Sequence, residues 1–166
     1  MNKRVLVGLV AAVSAAAVAG AVTASRRQPE EQARQGDQAQ PAQAPRVVVY
    51  KSPSCGCCGN WVTYMRQQGF TVEVHDQDDL TEIKSAAGVT DNLASCHTAQ
   101  VGGYTVEGHV PAEDIRRMLR ERPQIAGIAA PGMPVGSPGM EQGGRRDRYQ
   151  VLGFTRAGRT SLFATH

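Results

Sequence analysis

The chain has 166 residues, 41% hydrophobic and 20% charged, with a formal net charge of +3. This length and balance suit one modest globular domain and exclude a fibrous or wholly disordered chain. Setting aside the first 24 residues removes Lys3 and Arg4 and no acidic group, which brings the charge to +1; that is too even for a nucleic-acid binder, so no nucleic-acid partner is expected.

The start, "MNKRVLVGLVAAVSAAAVAGAVTAS", has a short basic head, an apolar run from Val5 to Val22 and small residues suited to signal peptidase. It reads as an export signal over residues 1–24, cleaved after Ala21 or Ala24. Arg26 and Arg27 follow the apolar run, so they are not a twin-arginine signal. The alternative is an uncleaved anchor, the one arrangement in which the chain would contact a membrane. The run is near the lower length limit for a span, and its Ala and Gly content makes it weakly hydrophobic. Residues 25–45, "SRRQPEEQARQGDQAQPAQAP", hold no aromatic or branched aliphatic side chain. They cannot bury enough surface to repay ordering and are expected to be a disordered linker, leaving a folded domain at 46–166.

From Arg46 the pattern changes. "RVVVY" reads as a buried strand, and "NWVTYMRQQ" places Trp61, Val62 and Met65 at helical spacing before a stop at Gly69. "FTVEVH" alternates as a strand, and "DDLTEIKSAAG" has the Asp start and Gly end of a second helix. "TAQVGGYTVEG" reads as two short strands joined at Gly102 and Gly103, and "VPAEDIRRMLRER" as a third helix with Pro111, Glu113 and Asp114 at its start. The segment "GIAAPGMPVGSPGMEQGG" is expected to be a Gly, Pro and Met loop, and "YQVLGFTRAGRTSLFATH" a hairpin turning at Arg156 to Arg159 that extends or flanks the sheet. The β-α-β-α-β-β-α order, with a Cys-x-x-Cys opening the first helix, resembles the thioredoxin fold.

Three of the four cysteines fall in "SCGCCG": Cys55, Cys57 and Cys58. Cys55 and Cys58 are spaced to share one face at a helix start, where amides and dipole favour a thiolate that attacks disulfides or binds metal; this makes them the candidate catalytic, redox-active pair. A simple dithiol needs only two sulfurs. Cys57 would scramble such a pair, yet it suits a bridging ligand for a soft metal. A disulfide staple of two pairs fits an exported protein, but the adjacency of Cys57 and Cys58 sits poorly with it. His97 and Thr98 occupy the place where thioredoxin-like proteins carry a Pro-Thr loop facing the dithiol, so Cys96 and His97 are expected across from Cys55 and Cys58. His109, just before the third helix, is either a polar helix-entry residue or a metal neighbour. Met133 and Met140, on an irregular loop, are either Cu(I) ligands or a hydrophobic lid. Met65 and Met118 belong to the core, His75 has a structural place, and His166 is expected to be disordered.

Together, "SPSCGCCGNW", "SCHTAQVGGYTVEGHVP" and "IAAPGMPVGSPGME" resemble the copper-resistance proteins of the CopG type, over about residues 46–166. The resemblance implies a thioredoxin-like domain that handles copper in the bacterial periplasm, with Cys55, Cys58, Cys96 and His97 around the metal and Cys57 in the same motif. Two classes of function stay open. One is a copper-resistance protein holding one or more Cu(I) ions and coupling this to thiol-dependent Cu(II) reduction; its partners would be copper ions and other periplasmic copper-handling or thiol-donor proteins. The other is a thiol-disulfide oxidoreductase acting on protein partners. Zinc is the alternative metal, since Cys and His suit it too; the third cysteine and the Met loop favour soft-metal binding.

Overall fold

A computed structural model describes residues 44–166. The expected export signal and all of the expected linker except Ala44 and Pro45 lie outside them. The elements run β1 (Arg46–Lys51), α1 (Gly56–Gln67), β2 (Thr71–Asp76), α2 (Thr81–Ala87), a 3-10 turn (Asp91–Leu93), β3 (His97–Val101), β4 (Tyr104–Glu107), α3 (Ala112–Glu121), β5 (Gly127–Ala129), β6 (Gln150–Phe154) and β7 (Thr160–Thr165). Among these described residues, no helix is long and apolar enough to cross a membrane.

The seven strands form one sheet in the order β2-β1-β3-β4-β5-β6-β7. The pairs β1/β2 and β4/β5 are parallel and the others antiparallel. This mixed α/β architecture is compatible with a thioredoxin-like fold, and its first seven regular elements keep the expected order. The β3–β4 hairpin closes through Gly102 (φ 56°) and Gly103 (φ 88°), with Val101 opposite Tyr104. Positive φ at both central residues is what a two-residue type I′ turn demands, and glycine meets it without strain.

Trp61, Val62 and Met65 of α1 and Ile115 and Met118 of α3 are buried against Val47, Val49, Ala99, Val106 and Ile128 on one face of the sheet. Ala87, Val89, Leu93, Ala129 and Phe154 form a second cluster. Ile128 and Ala129 fall in different clusters because neighbouring strand residues point to opposite faces. The segment expected to be wholly loop therefore begins as a strand: β5 is three residues long, too short for a periodic signal, and is held between β4 and β6. Through β5, the β6–β7 hairpin extends the sheet instead of flanking it. His166 also departs from expectation. Its Nε2 lies 2.7 Å from Asp114 Oδ2, its ring stacks on Tyr149, and its backbone pairs with Tyr149 in both directions.

Candidate metal and thiol site

The register of β1 against β3 places Lys51 opposite His97. The end of β1, which leads into the cysteine loop, therefore lies beside the residue following Cys96. Cys55 precedes α1 with extended backbone (φ −76°, ψ 95°), and no side chain caps the helix. Cys55 and Cys58 are joined as a disulfide, with Cα atoms 5.4 Å apart, while Cys57 and Cys96 carry free thiols. Cys58 is fully buried, and Cys57 Sγ stands 3.5 Å from Cys55 Sγ. The sulfurs of Cys55, Cys57, Cys58 and Cys96 all lie within 4.8 Å of one another. Four sulfurs from two chain segments thus converge on one place.

Cys96 belongs to a second set as well. Its Sγ is 3.4 Å from His97 Nδ1 and 3.1 Å from His109 Nε2, and these three residues also have donor atoms mutually within 4.8 Å. His109 Nδ1 is 2.8 Å from the Pro138 carbonyl. A carbonyl only accepts, so this contact puts the ring proton on Nδ1 and turns the lone pair of Nε2 towards Cys96. His97 and His109 are both buried, and His97 Nε2 has no hydrogen-bond partner among the described residues. Burial, then the neighbouring His109 and Lys84, hold the His97 imidazole well below the usual histidine range. Burial likewise lowers His109. Both rings are therefore neutral near pH 7, the form that can ligate a metal. Burial, followed by the charge of Cys57, pushes the Cys96 thiol up to about 11, so Cys96 is a protonated thiol until a cation or a lost proton compensates it.

Residues that carried no signal of function in the sequence build the frame. Trp61 packs its ring 4.5 Å from that of His97 and donates its indole N–H to Val110 O at 3.0 Å. Buried Glu107 accepts from Ser95 N at 2.7 Å, Thr98 Oγ1 at 2.7 Å and Lys84 Nζ at 2.5 Å, which ties the segment before Cys96 to β4. Its carboxyl is raised by burial, which outweighs the opposing Lys84 charge. An acid in the otherwise buried strand "YTVE" was the one hint of this.

The Met loop meets the motif through its backbone. A Cβ on Gly139 would stand 2.6 Å from Trp61 N and 3.0 Å from Cys57 O, so the chain beside Met140 runs directly over the first turns of α1. Met140 is half-buried, and Met133 is 54% exposed. His75 pairs with Glu73 and stacks on Tyr50 away from this set. A separate groove, lined by Val48, Tyr50, Gln100 and Tyr104 among others, has no cysteine or histidine among its described lining residues.

A family model described as a protein of unknown function, DUF411, matches residues 93–140. That stretch holds Cys96, His97, His109, Met133 and Met140 but not the motif at 55–58. No curated protein matches the chain. Two solved structures do: copper resistance protein CopG, Form 2, is 46% identical with a TM-score of 0.71, over 74% of this chain and 98% of that one. Form 1 of the same protein is 47% identical with a TM-score of 0.69, over 73% and 96%. With that identity across nearly the whole length of the relative, and a cysteine cluster able to hold a metal, the chain belongs to the CopG family of copper resistance proteins.

Proposed function

We propose that the protein binds Cu(I) in the bacterial periplasm through Cys55, Cys58 and Cys96 in their reduced form, with Cys57 and His97 contributing and His109, Met133 and Met140 around the metal. The observation that supports this best is the convergence of four sulfurs within 4.8 Å of one another. Thiolates are soft donors that prefer Cu(I), and a sulfur can bridge two ions, so few residues can hold more than one. The neutral His97 ring, with Nδ1 3.4 Å from Cys96 Sγ, and the oriented His109 Nε2 fit a cation close by. Cys55 and Cys58 supply the redox step. Two thiolates each give one electron to a Cu(II) ion, two Cu(I) ions form, and the sulfurs join as the Cys55–Cys58 disulfide. A periplasmic thiol donor reopens it. Copper ions are then both cargo and electron acceptor.

Anaerobic Cu(I) titration of the fully reduced chain against a competing chelator tests the binding. Cys96→Ser should lower the stoichiometry, or weaken affinity at least tenfold. Unchanged binding would remove Cys96 from the site and with it the cross-segment geometry. A parallel Zn(II) titration addresses the alternative metal, because Cys96, His97 and His109 form a donor set that zinc would also accept. The Cys55–Cys58 disulfide at a helix start equally supports exchange with protein thiols. Turnover of a protein disulfide by a chain that binds no copper would favour that reading.

A further inference from the structure

Two of the four sulfurs stand outside the Cys55–Cys58 bond, and they face each other. Cys57 sits on the first turn of α1 and Cys96 at the entry to β3; both are half-buried free thiols, and their Sγ atoms are no more than 4.8 Å apart. We infer that Cys57 and Cys96 are a second redox pair, closing as a cross-link between α1 and β3, so that the site delivers four electrons instead of two. This extends the thiol-dependent reduction proposed above.

The geometry selects this pairing. Cys58, adjacent to Cys57 in sequence, is buried and already bonded to Cys55, so with that bond closed the only other thiol of the chain is Cys96. Bringing the sulfurs to bonding distance takes on the order of 3 Å of travel at most, a displacement on the scale of a side-chain rotamer change. Ser95, next to Cys96, is held by Glu107 through its backbone N–H, so Cys57 is the side that turns. The electrons balance for each pair: two thiols lose two protons and two electrons, one S–S bond forms, and two Cu(II) ions become two Cu(I). Both pairs together reduce four Cu(II) and release four protons. With one pair closed, two thiols and the imidazoles of His97 and His109 remain as donors. With both closed no thiolate is left, so metal would be released in two stages.

The test uses the full chain, reduced and freed of reductant without oxygen, then titrated with diamide, a metal-free two-electron thiol oxidant. Trypsin leaves Cys55, Cys57 and Cys58 together in peptide 52–66 and Cys96 in peptide 85–116. Free thiols should fall from four to two to none over two equivalents, and the two peptides should become joined under non-reducing conditions. Cys57→Ser should stop at one thiol with the peptides separate. Two thiols surviving excess diamide, joined peptides in Cys57→Ser, or thiol loss through chain dimers would each overturn the second pair. Cu(II) in place of diamide, with a Cu(I) chelator present, should yield four Cu(I) per wild-type chain and two per Cys57→Ser chain. If both bonds close with diamide but Cu(II) stays unreduced, the reductase reading fails and the second pair stands.

Discussion

Replacing Gly108 with alanine probes how Cys96 and His109 are brought into contact. Gly108 has φ +73°, and a Cβ there would stand 2.4 Å from Ser95 Oγ, 2.5 Å from Ser95 Cβ and 2.7 Å from Ala130 O. These atoms cannot give way cheaply. Ser95 is bound through its hydroxyl to Gly132 O and through its N–H to Glu107, and Ala130 N is bonded to Glu107 O. The left-handed backbone costs alanine about 1 kcal/mol relative to glycine, and forcing a methyl into packed surroundings adds about 1–3 kcal/mol. The expected loss is thus about 2–4 kcal/mol. Gly103→Ala is the control: its φ is +88° but nothing lies within 4 Å of the added carbon, so only the backbone cost of about 1 kcal/mol applies. Urea unfolding of the two variants beside wild type, with equal slopes, measures the difference. Copper affinity of the folded chain gives a second readout. It should fall in Gly108→Ala, because the clash separates the segment carrying Cys96 from the turn carrying His109, and hold in Gly103→Ala. Equal destabilisation of the two variants would refute the close-approach argument.

Stability should also depend on pH in a set direction. His97 and His109 are held below the usual histidine value by burial, so the stability they contribute is complete above about pH 6.5 and is lost as pH falls from there towards their folded values. Glu107, raised by burial, acts oppositely: its contribution is complete below its ordinary value and is lost as pH rises through the folded one. Between pH 7.5 and 5.5 the histidines should dominate, and urea midpoints should drop; a flat or rising profile would count against two buried neutral imidazoles. Changing Met133 and Met140 together to Leu keeps apolar bulk while removing sulfur. If the thioethers hold copper, Cu(I) retention against a chelator should weaken in this variant, whereas intact retention would make the loop a hydrophobic lid alone.

Much of this arrangement was legible before folding was considered, because its signals are local. The paired glycines at 102 and 103, the cysteines opening α1 and the acidic start of α3 each lie within one element or one turn, and each dictates its own geometry. The hidden features depend on partners distant in sequence. β5 exists because β4 and β6 supply its hydrogen bonds, not because "GIA" prefers a strand. Glu107 became a structural anchor only once Lys84, Thr98 and the Ser95 N–H converged on it. His166 is ordered by Asp114 and Tyr149, residues 52 and 17 positions away. The packing of the Met loop on α1 rests on Gly139, whose missing side chain matters only when Trp61 and Cys57 lie beneath it.

Cys96 is the residue on which the two donor sets overlap, and this gives the oxidation state a defined chemical consequence under the proposed function. With every thiol reduced, four soft sulfurs converge and the preference is for Cu(I). Closing Cys55–Cys58 withdraws two of those sulfurs at once, since a disulfide sulfur is a poor ligand compared with a thiolate. What remains around Cys96 is Cys57 and the neutral imidazoles of His97 and His109, a mixed sulfur and nitrogen set that is less selective for Cu(I). The protein frame need not rearrange for this change. Trp61 holds the ring of His97, Pro138 holds that of His109 and Glu107 holds the backbone before Cys96, all through contacts that do not involve a cysteine sulfur. Electron transfer can therefore alter the ligand set while the scaffold stays fixed, which is the property a site needs if copper binding and thiol oxidation are to be coupled.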